Sequence, residues 1–129
     1  MRKEMDFVAT KGRDQGKHFH ITEMSAANAE AWAAQALFAV MNAGVEMPDG
    51  AGLADLMENW QGALARVKYQ DAKPLLDEMM TCVKAIPTPS QPNIMRPLID
   101  EDIEEVATRI QLRKAVLDLH TEFLKNASA

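Results

Sequence analysis

The stretch IPTPSQPNIMRPL (Ile86–Leu98) constrains this chain more than any other, because Pro87, Pro89, Pro92 and Pro97 all fall within it. Each proline fixes φ and removes a backbone donor, so no helix can run through the stretch. It reads as a stiff, extended connector over residues 87–98. The chain is thereby divided into a preceding body and a final segment, Asp100 to Lys125, which has the composition of one long helix.

That final segment opens with acids (Asp100, Glu101, Asp102, Glu104, Glu105) and carries Arg109, Arg113, Lys114 and Lys125 later. This polarity matches the helix dipole, positive at its start and negative at its end. The spacing predicts a helix over about Glu101–Lys125 with two apolar sides. Ile103, Val106, Ala107, Ile110, Leu117 and Leu124 form one stripe. Leu112, Val116, Leu119 and Phe123 fall on the opposite side at about 100° per residue. A helix with two apolar sides is buried on both or keeps one for a partner. The second stripe is therefore the candidate surface for self-association or partner binding.

Before the prolines, Met5–Ala9 and Lys17–Thr22 read as strands joined by the polar loop TKGRDQG. Phe19 and Ile21 alternate with His18, His20 and Thr22, the period of a half-buried strand. A hairpin over 5–22 needs a helical body to pack on. Residues 25–86 supply one. The first helix is expected from Ser25, a good N-cap, to Asn42, with Ala29, Trp32, Ala33, Ala36, Leu37 and Val40 inward and Gly44 as its stop. A second runs over about Leu53–Lys68, weakened at Gly62. A third starts near Asp71 with Pro74 in its first turn, and Leu75, Leu76, Met79, Cys82, Val83 and Ile86 line its buried side. The expected fold is thus mainly α in a single domain: a hairpin, about four helices, and a proline-rich crossing to the last of them.

At 129 residues the chain can hold a core without staples, and 47% hydrophobic with 26% charged residues is a globular composition. Cys82 is the only cysteine, which excludes an intramolecular disulfide and a multi-cysteine zinc site and fits a reducing cytoplasm. MRKEMDFVAT lacks the apolar core of a signal peptide, and no window resembles a membrane span. The net charge of −5 opposes general nucleic-acid affinity. A basic spot from Arg96, Arg109, Arg113 and Lys114 leaves a small DNA-binding regulator as a minor reading.

Residues with catalytic or ligating chemistry are few. His18 and His20 share a strand face, a spacing zinc sites use, with Glu23 just behind. They read as ordinary polar strand positions unless further ligands converge. His120, between Asp118 and Glu122, reads as a surface or interface histidine. Cys82 reads as a buried, inert thiol. The acids from Asp100 to Glu105 lack the glycine turn of a calcium loop, and no glycine run could cradle phosphate. The expectation is no enzyme, no cofactor and no metal.

FHITEM (Phe19–Met24) leads into AEAWAAQAL (Ala29–Leu37), and PLLDEMM (Pro74–Met80) is followed by RPLIDEDIEEVATRI (Arg96–Ile110) and LRKAVLDLHTEFL (Leu112–Leu124). As an ordered set these stretches resemble the small tail assembly chaperones of long-tailed bacteriophages and their prophages, over most of the chain apart from Val45–Arg66. Ser25 stands where a proline often follows ITEM in that family. The resemblance implies a role in virion morphogenesis in the bacterial host cytoplasm. Such a protein binds the tape measure protein, with the major tail protein as a further candidate partner, forms a complex or a homo-oligomer, and is absent from the finished virion. It also implies a programmed frameshift, for which codons of LKN (Leu124–Asn126) could carry a slippery run. The rival reading is a head–tail or tail-tube component retained in the particle. Nine methionines supply the adaptable apolar contacts that a chaperone needs.

Overall fold

A computed structural model describes residues 2–42, 44 and 66–127, with side chains through Thr121. Among these residues the order is β1 (Glu4–Val8), β2 (His18–Thr22), α1 (Ala26–Asn42), α2 (Tyr69–Met80), β3 (Val83–Ile86), β4 (Arg96–Pro97) and α3 (Val106–Ala127). Short 3-10 turns lie at Gly12–Asp14 and Asp100–Asp102. The helix expected over Leu53–Lys68 lies almost wholly outside the described residues. The four strands form one antiparallel sheet in the order β1-β2-β3-β4.

The sheet corrects the expected fold class. The chain mixes α and β: three helices and a four-stranded sheet among the described residues, in place of a mainly α body of about four helices. The first hairpin is paired in register from Glu4↔Thr22 to Val8↔His18. The difference lies at residues 83–86, whose apolar spacing predicts the end of a helix. The helix instead ends at Met80, and Val83, Ala85 and Ile86 are buried while Lys84 is exposed. Four residues with three apolar positions satisfy either period, so only their pairing with β2 (Ile21↔Val83 to His18↔Ile86) distinguishes them. The proline stretch is likewise more than a crossing. It turns back through bonds from Gln91 N–H to Thr88 C=O and Ile94 N–H to Gln91 C=O, then pairs Arg96 and Pro97 with β3. Proline is tolerated there because β4 is an edge strand.

The chain divides into two compact units by contact pattern, residues 1–24 with 79–120, and residues 25–78 with 121–129. In the first unit, Phe19, Ile21, Val83 and Ala85 are buried on one face of the sheet. Leu112, Val116 and Leu119 form a buried stripe on α3, with Thr108 one turn earlier. Both ends of this helical segment are tied to the first hairpin. Asp14 accepts hydrogen bonds from Glu104 N–H and Glu105 N–H just before α3, and Met24 N–H donates to His120 Nε2. Val106 to His120 spans roughly 21 Å at 1.5 Å per residue, enough to run alongside β2, whose five residues cover about 17 Å. Val106–His120 therefore lies along β2, and its stripe and the sheet's buried face form the core of this unit.

In the second unit, Ser25 caps α1 as expected, its Oγ accepting Asn28 N–H at 3.3 Å. Gly44, at φ 82°, closes the segment by donating to Met41 C=O. Trp32, Ala36 and Val40 are buried in α1, as are Ala72 and Leu75 in α2. The Trp32 indole N–H donates to Leu75 C=O at 3.0 Å, joining the two helices. α2 begins at Tyr69, so Pro74 falls inside the helix instead of in its first turn, where it forgoes the bond to Gln70 C=O.

Candidate functional site

The most constrained polar cluster is built by the loop of the first hairpin. Gly12, at φ 67°, and Gly16, at φ 88°, take backbone conformations that residues with a Cβ avoid. Between them the loop turns Asp14 inward until it is fully buried. Its carboxylate accepts Glu104 N–H and Glu105 N–H, both at 2.9 Å, and Lys17 Nζ at 3.0 Å, and it bonds the Thr108 side chain. Burial alone would raise the Asp14 pKa. The bonds from Glu104, Thr108, Lys17 and Glu105 outweigh it and hold the carboxyl well below the usual carboxylate range. A carboxylate at a helix start is also favoured by the dipole. Next to it, Arg13 Nε meets Glu105 Oε1 at 2.9 Å and Arg13 Nη2 donates to Glu104 C=O at 3.0 Å. This cluster is a satisfied clamp between loop and helix.

A second cluster lies on the other face of the sheet, where the period of two sets Glu4, Asp6 and Val8 of β1 beside His18, His20 and Thr22 of β2. Lys84 of β3 stands opposite His20. His20 Nδ1 donates to Asp6 Oδ1 at 2.7 Å, and Nε2 lies 3.2 Å from Glu4 Oε1. Partial burial works against its charged form, but the bonds to Asp6 and Glu4 prevail and raise its pKa above the ordinary imidazole value. With a carboxylate on each nitrogen, this imidazole has no lone pair directed at a substrate or metal. Among the described residues no group of three or more His, Cys, Asp or Glu side chains could hold a metal ion.

The sequence-derived positions fall as follows. Leu112, Val116 and Leu119, expected to face a partner, are 0%, 1% and 8% exposed. The Phe123 side chain lies outside the described residues. On the other stripe, Val106 and Ile110 are 72% and 49% exposed. His18 and His20 share a strand face, and the His20 ring engages the carboxylates of Asp6 and Glu4. Cys82 is buried in the turn before β3, not on a helix. His120 is part of the internal bonding, since Nε2 accepts from Met24 N–H and Nδ1 must then donate to Val116 C=O, each at 2.8 Å. That pattern specifies the Nδ1–H tautomer.

Asp14, Arg13 and Thr108 were not singled out by sequence reasoning. The signal that could have pointed to them is an aspartate between two glycines in a hairpin loop, but its partners lie about ninety residues away. Arg96, read as part of a basic spot, instead forms a two-pronged pair with Asp102 at 2.7 and 2.6 Å. The Asp102 carboxylate also accepts Ile99 N–H. No helix of the described residues is long and apolar enough to cross a membrane. No protein-family model, curated protein or solved structure matches the chain.

Proposed function

We propose that this chain is a non-enzymatic tail assembly chaperone of a long-tailed phage or prophage, which binds the tape measure protein while the tail tube assembles. The observation that carries this reading is the ordered set of stretches, FHITEM through LRKAVLDLHTEFL, that resembles that family. Because Leu112, Val116 and Leu119 are buried, we assign the contact surface to other apolar groups. Large apolar side chains are exposed at Phe38, Met41 and Tyr69 in one unit, and at Ile94, Ile99, Val106 and Ile110 in the other. Exposed apolar groups of this size suit transient burial of a partner's apolar segments.

The test is co-expression with the tape measure protein encoded downstream, followed by mass spectrometry of purified virions. The expected result is a soluble tape measure complex in the cell and no trace of this chain in finished particles. Recovery of the chain in stoichiometric amounts from virions would instead make it a structural tail component. A downstream gene unrelated to tape measure proteins would remove the reading altogether.

A further inference from the structure

We propose that the outer edge of β1 is a docking site for an extended peptide segment whose side chains alternate basic and apolar, added to the sheet as a fifth strand. The direction of the β1 backbone groups follows from two bonds to β2. Glu23 N–H donates to Lys3 C=O and Ala9 N–H donates to Lys17 C=O. Bonded positions recur at every second residue of an antiparallel pair. The peptide groups of Met5 and Phe7 therefore point at β2, and those of Glu4, Asp6 and Val8 point away from the sheet. Among the described residues nothing bonds these outward groups.

Sheet edges are commonly blunted by a proline, charged side chains, a bulge or a very short strand. β4, at the far edge, has two residues and ends in Pro97. β1, EMDFV, has no proline or bulge and pairs with β2 over all five residues; its one device is charge, Glu4 and Asp6, which repels only strands of like sign.

Charge selects the occupant. Although His20 bonds one oxygen of each, the Glu4 and Asp6 side chains stay 56% and 69% exposed on one face of the edge. A second copy pairing through its own β1 would set Asp6 against Asp6, or Glu4 against Asp6, in the registers centred on the strand. Like charges directly opposite are destabilising. A lysine or arginine at those positions of an incoming strand gains where a second copy loses, and the overall charge of −5 adds attraction at longer range. On the opposite face the same strand would lie beside Met5 and Phe7, both half-buried, which favours apolar residues at the alternate positions. The edge can take such a segment whatever the biological role of the chain.

The probe is a synthetic peptide of roughly eight residues alternating lysine and valine, titrated into the full chain while backbone amide exchange is followed by NMR. Exchange at Glu4, Asp6 and Val8 is expected to slow by roughly tenfold or more, while Met5 and Phe7 change little. A peptide with glutamate in place of lysine is expected not to bind, and N-methylation of alternate peptide amides should weaken binding by at least roughly tenfold. Val8→Pro removes one outward donor without touching the β1–β2 ladder. It should weaken docking while the amides of Met5 and Phe7 stay protected. Binding without protection at Glu4, Asp6 and Val8, or undiminished binding of the N-methylated peptide, would overturn strand addition. Concentration-dependent protection of these amides in the free chain would show that a second copy is the occupant, and the proposal would fail.

Discussion

Asp14 and Asp6 belong to the same hairpin and carry the same side chain, yet they occupy opposite situations. Asp14 is fully buried at the loop end, with two backbone amides, an ammonium and a hydroxyl around it. Asp6 sits on the strand, its side chain 69% exposed, bonded to one imidazole. The first holds the helix to the sheet, whereas the second leaves most of its charge facing water. Stability and recognition are separated here by burial and donor number, within one residue type and a few residues of chain.

The sharpest way to break this contrast is Asp14→Ala. Leaving Lys17 and two helix-start amides without their buried partner is expected to cost about 3 kcal/mol, read by urea denaturation. A loss no larger than that of Asp6→Asn would show that the clamp does not hold the helix. Gly12→Ala probes the loop that presents Asp14. A Cβ there adopts a left-handed conformation and meets Glu105 Oε1 at 3.2 Å, so a loss of roughly 1–2 kcal/mol is expected.

Acidity separates the two ends of the hairpin further. The folded-state pKa of Asp14 is depressed. Its contribution is therefore present above the ordinary carboxylate value, about 3.9, and is lost as pH falls from there toward the folded value. His20 is raised, so its contribution is complete below about 6.5 and is lost as pH rises through the folded value. Stability measured against pH should lose its near-neutral limb in His20→Gln and keep its acid limb, whereas Asp14→Asn should keep the near-neutral limb and shrink the acid one, to which the depressed carboxyls of Asp102 and Glu105 also contribute. The smallest effect belongs to Asp6→Asn at pH 8, a change within about 0.5 kcal/mol. A larger loss there would mean that the edge carboxylate is a structural element after all.

How far the sequence could be read differs from element to element. The first hairpin was visible because Phe19 and Ile21 alternate with polar neighbours, and α1 because Ser25, its alanine stripe and Gly44 agree. β3 was hidden: four residues with three apolar positions fit a helix as well as a strand, and their partners are some sixty residues earlier. The faces of α3 were both visible as stripes, but periodicity carries no information about which stripe faces inward. Leu112, Val116 and Leu119 are interior because Asp14 and Met24 hold that side of the helix against the sheet. The candidate edge was half legible, since EMDFV displays its acids and its lack of proline, while its position at the end of the strand order was not.

By itself the sequence determined some of the local elements: the first hairpin, the Ser25 start and Gly44 stop of α1, and that residues 87–98 cannot be helical. Those features depend on neighbours within a few residues, which steric and hydrogen-bonding rules fix directly. Only the tertiary structure decided that residues 83–86 join the sheet, that Asp14 reaches across to the start of α3, and which side of that helix is interior. Each of these depends on bonds between residues tens of positions apart, and such pairings depend on which distant donors and apolar faces the fold brings within reach.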